Sequence, residues 1–269
     1  MSEGEGRQRR FGRLTDEADQ GLLTYGSYLK IPELLSLQHL KSEPPVHDEL
    51  LFIVVHQAYE LWFKQLLFEL EAARHAMVAD RPERARHLLA RVRAIERVLI
   101  EHIEVLKTMT PQDFLEFRAV LTPASGFQSA QFREIEFVSG LKDERFLDDL
   151  APGSDERARL VRRLEAPTVW DGFVSLMRTH GYPMPDDDAP ARAASLVEMA
   201  RARGEVFAVS EGLVDHDEAL AQWRYLHVLM VEREIGAKRG TGGSSGVSYL
   251  RSTLDKRCFP ELWGLRSGL

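Results

Sequence analysis

Cysteine is almost missing from this sequence: Cys258 is the one thiol in 269 residues. A lone thiol excludes an intrachain disulfide framework and a paired-cysteine cofactor attachment, and its ordinary place is an inert core position in a reducing compartment. Long apolar runs are missing too. The longest purely aliphatic or aromatic stretch, Leu50 to Val55, is far too short to span a bilayer. There is no excess of positive charge. The net charge is −7 without a long basic block, so nucleic acid is not an expected partner. Met1 to Arg13 is polar and mixed in charge and lacks the apolar core of a secretion signal. Together these gaps lead us to expect a cytoplasmic protein that engages neither membrane nor nucleic acid. No run of alternating residues reads as a central strand, and no internal repeat is visible.

What is present reads as helix. Hydrophobic residues make up 44% and charged residues 29%, an ordinary balance for a soluble domain. We expect an all-α helical bundle: a flexible arm over 1–20, then a single helical domain over 21–269. Leu22 to Pro32 is abruptly aromatic, too short and too punctuated for a stable helix alone, and suited to docking on its own core or on another subunit. After Pro44 and Pro45, Asp48 is the expected N-cap of a helix running to about Met77, with Glu60 and Lys64 paired on its wet side. Asp80 and Pro82 restart the chain. Leu88, Val92, Ile95, Leu99, Ile103 and Leu106 then step by three and four along a second long helix, with His87 and His102 read as structural or exposed. Thr110–Pro111–Gln112–Asp113 opens a short helix. Further helices are expected over Phe127–Val138, from Thr168 to Gly181, over Ala191–Ala202 and from about His216 to Ile235, with 141–157 and 183–190 as connections.

The oddest local feature is a histidine set into the greasy face of the first long helix. Phe52, His56, Tyr59 and Phe63 lie at offsets of four, three and four and share one stripe. His227 repeats the pattern on the last long helix, with Leu220, Trp223, Met230 and Glu234 on its face. None of the nine histidines has an acidic residue three positions before it, and none is paired at i,i+4. That disfavours a di-iron bundle and the helical zinc signature. A lone histidine in an apolar pocket suits a haem ligand; spacing alone first reads each as a satisfied core residue and cannot say which would bind iron. Phe114 and Arg118, four apart, aim a ring and a guanidinium into the same space. A planar fork matches a carboxylate bidentately, so together they describe a pocket for an amino acid with a flat side chain. The glycine-rich stretch Gly240–Gly246 is neither a dinucleotide fingerprint nor a P-loop. It offers free backbone N–H groups and the hydroxyls of Thr241, Ser244 and Ser245 to a small polar ligand.

Six stretches carry a resemblance: Thr24-Tyr-Gly-Ser-Tyr28-Leu29, His56-Gln-Ala-Tyr-Glu-Leu-Trp-Phe-Lys64, Phe114-x-x-Phe-Arg118, Ser125-Gly-Phe-Gln-Ser129, Trp223-Arg-Tyr-x-His227 and Gly240-Thr-Gly-Gly-Ser-Ser-Gly246. In this order, from about residue 22 to the C-terminus, the chain resembles tryptophan 2,3-dioxygenases. The resemblance implies an all-helical enzyme containing haem b, usually a tetramer built as a dimer of dimers. It implies cleavage of the C2–C3 bond of the L-tryptophan indole with O2, giving N-formylkynurenine. It makes His227 the proximal iron ligand and His56 the distal histidine that meets the indole N–H. Phe52, and with it Ile53, Val54 and Val55, then belongs to the indole site. Phe114 and Arg118 face the substrate carboxylate, and Thr241 the ammonium. Ser125, Gly126 and Trp223 border the haem, and Tyr25, Tyr28 and Leu29 complete a neighbouring subunit's pocket. Position 114 is Phe where some bacterial members have Tyr. Glu232 and Glu234 stand in a stretch that usually contains Arg and Met. Two alternatives accompany this reading: a monooxygenase of the same family acting on a substituted tryptophan in secondary metabolism, and a non-catalytic haem-binding protein.

Overall fold

The computed structural model describes residues 23–241 and 246–269. The expected arm at 1–20, Leu22 and the loop positions Gly242, Gly243, Ser244 and Ser245 lie outside the described residues. Among the described residues every regular element is helical, as expected, and no helix is long and apolar enough to cross a membrane. The chain divides after Leu40 into two compact units.

The first unit carries α1 (Tyr25–Leu29) and α2 (Ile31–Leu34). Helices this short are not stable by propensity, so local caps matter. Thr24 and Ser27 form a capping box. Lys30, in the left-handed region at φ 54°, ends α1 and starts α2. Tyr25, Tyr28 and Leu29 are exposed.

The second unit opens on a buried carboxylate. Glu49 accepts the amides of Lys41 (2.7 Å) and Ser42 (3.0 Å) and the Ser42 hydroxyl (2.5 Å). Ser42 Oγ in turn accepts from the Val46 amide at 2.8 Å. The chain is thereby folded onto the start of α3 (His47–Val78), and extended Val46, rather than the expected Asp48, becomes the N-cap. There follow α4 (Pro82–Leu106), α5 (Pro111–Phe117), α6 (Ala130–Val138), α7 (Asp155–Glu165), α8 (Val169–Thr179), α9 (Ala189–Ala202), α10 (Glu205–Ile235), α11 (Val247–Arg251) and α12 (Pro260–Leu265). Thr110 and Thr168 cap α5 and α8 with reciprocal boxes, as their sequences require.

Helix α4 packs along both α3 and α10, while α6 and α8 cover α3. The seam expected on α4 is buried at all six positions, and joins Leu66, Leu70 and Met77 of α3 and Val209 and Leu213 of α10 in one core. Each fully buried aliphatic side chain contributes about 1.5–3 kcal/mol, so this shared core rather than propensity holds the long helices. Gly212 of α10 lies against Leu89, where even a methyl group would meet the leucine side chain at 3.1 Å. Its missing side chain lets the two helices approach.

Four further features depart from expectation. Helix α10 begins at Glu205, not near His216, because Val206, Val209 and Leu213 extend its buried stripe by three turns. His216 and Asp217 are therefore interior. His216 Nδ1 lies 2.5 Å from Glu96 Oε1 and its Nε2 2.8 Å from Ser139 Oγ. Asp217 accepts from the amides of Cys258 and Phe259 and from Trp263 Nε1, at 2.9–3.1 Å, holding the C-terminal segment on α10. Helix α6 starts at Ala130, not Phe127, because Ser129 caps it after a separate 3-10 turn. Helix α7 has no counterpart in the sequence reading. Its charge-rich surface hides Leu160, which is buried with Phe137 and Phe146. Glu60 accepts not from Lys64 but from Ser129 Oγ (2.6 Å) and Gln131 Nε2 (2.7 Å) at the start of α6. Cys258 is buried, and burial pushes its thiol up, as suits an inert core position.

Burial opposes ionisation of Glu49, but its hydrogen-bond donors at Ser42 and Lys41 outweigh this and hold the carboxyl below its ordinary 4.5. A group depressed on folding stabilises above its unfolded value, and that stabilisation is lost as pH falls through the folded value. Glu49→Gln is expected to cost about 1–3 kcal/mol at neutral pH. The gap from wild type should close as pH drops below 4.5; urea unfolding at neutral and acid pH checks this, and a gap that stays constant refutes it.

Candidate functional site

One large cleft occupies the second unit, open enough for the centres of water-sized molecules to range over about 280 Å³. A second cavity, beside Glu96 and Leu220, offers about 10 Å³ on the same measure. Helix α3 supplies the floor of the large cleft. The 3.6-residue repeat brings Phe52, His56, Tyr59 and Phe63 to one face, and all four line it. Phe52 is stacked on Phe114 of α5 with centroids 5.8 Å apart, and its ring is 4.0 Å from that of His56. Tyr59 donates to the Leu99 carbonyl at 2.8 Å, so its phenol holds α3 to α4 while its ring faces inward.

The opposite wall is α10. Trp223 and His227, one turn apart, are stacked at 4.9 Å and 11°, and Trp223 also meets Phe132 of α6 at 5.0 Å. His56 Nδ1 is 2.7 Å from the Phe52 carbonyl. A carbonyl only accepts, so Nδ1 carries the hydrogen and Nε2 is left with its lone pair. Burial lowers the pKa of His56. Burial, with the nearby His56 adding to it, pushes His227 down to about 4. Both rings are thus neutral at pH 7.

The charged side chains of the cleft lining are tied in place. Arg133 Nη1 donates to Glu136 Oε2 at 2.6 Å and Arg224 Nη2 to Glu136 Oε1 at 2.9 Å. All three line the cleft and are buried. Yet Arg133 Nε, Arg224 Nη1 and Trp223 Nε1 have no hydrogen-bond partner. Arg118 follows α5 and donates through Nη2 to the Arg239 carbonyl, while its Nε is buried and unpartnered. Thr241 Oγ1 donates to the Ala124 carbonyl at 2.6 Å. These two bonds fasten the segment after α10 across the segment after α5. Among the described residues no three His, Cys, Asp or Glu side chains gather as a metal cluster.

A model of the tryptophan 2,3-dioxygenase family matches residues 13–153 and 196–269. A tryptophan 2,3-dioxygenase of Nocardioides sp. (strain JS614) is 56% identical, over 92% of this chain and 95% of that protein. Another, from Herpetosiphon aurantiacus, is 45% identical over 92% and 98%, and one from Anaeromyxobacter sp. (strain K) is 45% identical over 95% and 100%. The chain belongs to the tryptophan 2,3-dioxygenase family.

Of the positions that its family resemblance singled out, Phe52, His56, Phe114, Arg118, Ser125, Gly126, Trp223, His227 and Thr241 line this one cleft. Ile53, Val54 and Val55 fall outside the lining: Val55 is buried in the core and Val54 is exposed. Tyr25, Tyr28 and Leu29 lie on α1 in the first unit. For this tryptophan 2,3-dioxygenase family member, sequence reasoning missed Arg133, Glu136 and Arg224. Their one visible signal is the i,i+3 pairing of Arg133 with Glu136 and the place of Arg224 inside the Trp223-to-His227 motif.

Gly246 closes the glycine-rich stretch at φ +62°, and a methyl group there would sit 2.8 Å from the Lys238 carbonyl. Gly246→Ala is therefore expected to cost about 1–3 kcal/mol of local stability. Hydrogen exchange at Val247–Leu250 should quicken several-fold with little change in global unfolding; unchanged exchange there would contradict the account.

Proposed function

We propose that this protein is a haem-dependent dioxygenase that cleaves the C2–C3 bond of the L-tryptophan indole with O2 and yields N-formylkynurenine. The observation that carries the reading is that His56 and His227, both neutral, share one aromatic-walled cleft with Arg118 in a member of this family. The dioxygenase reading is preferred to single-oxygen insertion because the relatives bear the dioxygenase name.

The residues fit haem b. The unpartnered N–H groups of Arg133 and Arg224 in the cleft wall suit anionic propionates. His227 would be the iron ligand, since a neutral imidazole is the form that coordinates. Trp223 packed on it fixes the ring's orientation, and Ser125 and Gly126 border the same space. When bound, the haem supplies the activation of O2, and the protein's part is orientation and electrostatics.

Each end of the substrate has its own partner. His56 holds its Nδ1 hydrogen on the Phe52 carbonyl and so offers Nε2 to accept from the indole N–H. An indole N–H is a very weak acid, so His56 acts as an orienting acceptor and not as an obligatory base. Phe52 and Phe114 form a slot for the flat ring. Arg118 keeps Nε free for the carboxylate. Thr241 spends its hydrogen on Ala124 and retains oxygen lone pairs for the ammonium. Fixing three points of one molecule converts a loose encounter into a near-unimolecular one. The family's homotetramer, a dimer of dimers, accommodates Tyr25, Tyr28 and Leu29, whose exposed apolar surface suits a neighbour's pocket.

Two variants and one product analysis test this. Arg118→Ala is expected to weaken L-tryptophan binding about tenfold to a hundredfold with haem retained; unchanged affinity would favour a haem protein without substrate recognition. His227→Ala should lose the Soret band of the reconstituted protein, and a band of normal intensity would assign the iron elsewhere. Anaerobic reduction followed by O2 and L-tryptophan should give a product heavier by both oxygen atoms. A product carrying one oxygen atom overturns the ring-cleaving reading.

A further inference from the structure

Glu234 has no role in the site so far described. It lies on α10 seven residues after His227, hence on the same helix face and about 10 Å farther along the axis. It is buried, it lines the cleft, and neither carboxylate oxygen has a hydrogen-bond partner. The other carboxylates of the cleft are bonded: Glu60 to Ser129 and Gln131, and Glu136 to Arg133 and Arg224. A bare carboxylate in an apolar wall costs several kcal/mol. Such a group either keeps its proton or is compensated by positive charge brought into the cavity. A ferric haem core carries net positive charge and a ferrous core none, so the cofactor's oxidation state decides which of the two conditions holds.

Building on the haem reading above, we propose that Glu234 is the charge-compensating group of this site. With haem bound in the cleft, it would be ionised in the ferric state and would take up one proton from solvent on reduction by an external one-electron donor. The net charge of the cavity is then unchanged. The charged groups facing it are Arg233 on its own helix and Asp113 at the start of α5. Burial is the largest influence and raises its carboxyl; Arg233 favours the ionised form and Asp113 opposes it. His56 and His227 share the cleft as neutral rings, and Arg118, whose Nε has no partner while its Nη2 is bonded to the Arg239 carbonyl, belongs to the same lining.

The sign follows from linkage. Reduction is easier when the compensating proton is available, so the midpoint potential should fall as pH rises. The fall approaches about 59 mV per unit, the one-electron equivalent of a tenfold change in proton concentration. The test is potentiometry of the haem-loaded full chain, followed at the Soret band, for wild type, Glu234→Gln and Glu234→Met. The second variant supplies an apolar chain of similar length in case the amide does not fold. We expect a pH-dependent potential in wild type and its loss in the variants, with haem still bound. A wild-type potential that ignores pH overturns the inference. So does a slope that survives both substitutions, since it then belongs to Asp113 or to the cofactor's own propionates. Wild-type protein that takes up no haem defeats the cofactor reading and this inference together, an outcome distinct from the other two.

Discussion

Everything in the second unit turns on two imidazoles held neutral across one apolar space. His56 rides on α3 and His227 on α10, and each helix is packed along α4. Helix α4 therefore acts as the ruler between them. Its seam of Leu88 to Leu106, buried on both sides, sets how far apart the two histidine-bearing faces lie. Tyr59 reinforces the spacing by donating to a carbonyl of α4 from within the histidine stripe itself. Removing water from the cleft keeps both rings uncharged, and an uncharged nitrogen can either accept a hydrogen bond or bind a metal.

The cleft stays open because its polar wall is braced from behind. Glu136 lies between two buried arginines, so their charge is partly neutralised while several of their N–H groups remain unspent. Glu60 reaches across to cap the segment leading into α6. Thr241 and Arg118 fasten the chain after α10 to the chain around α5 by bonds to backbone carbonyls. A buried donor without a partner is costly in a protein whose only task is to fold. Arg118, Arg133 and Arg224 bring such donors to this cleft, which is the chemistry an anionic and polar guest requires.

Much of this was legible beforehand. The period of Phe52, His56, Tyr59 and Phe63 placed one histidine on the inner face of α3. The step of three and four on α4 foretold its seam, and the hydroxyl–acid pairs at Thr110 and Thr168 foretold two helix starts. Reading failed where a local signal was stronger than the tertiary one. The last long helix was expected from about His216, yet it begins at Glu205, and Asp217 is an interior anchor for the chain at Cys258. The connection read over 141–157 runs into α7, and the charge-rich stretch after it carried no reading, yet Leu160 needed only one buried face to make a helix there. Glu60 and Lys64 have the spacing of a surface pair, but a half-buried hydroxyl and amide nearby, Ser129 and Gln131, offered the carboxylate better-shielded partners.

By itself the sequence determined the helical class, the phase of each long helix and the identity of the side chains on its inner face. These follow from periods of three and four that belong to single segments. Family motifs extended it to a list of site positions. Only the tertiary structure decided which of those positions meet. It gathered Phe52, His56, Arg118, Ser125, Trp223, His227 and Thr241 at one cleft, left Val54 and Val55 on other faces of the same helix, and added Arg133, Arg224 and Glu234. The reason is physical: helical phase fixes direction about one axis, whereas a cavity is made by several axes packed together, and no single segment encodes their crossing.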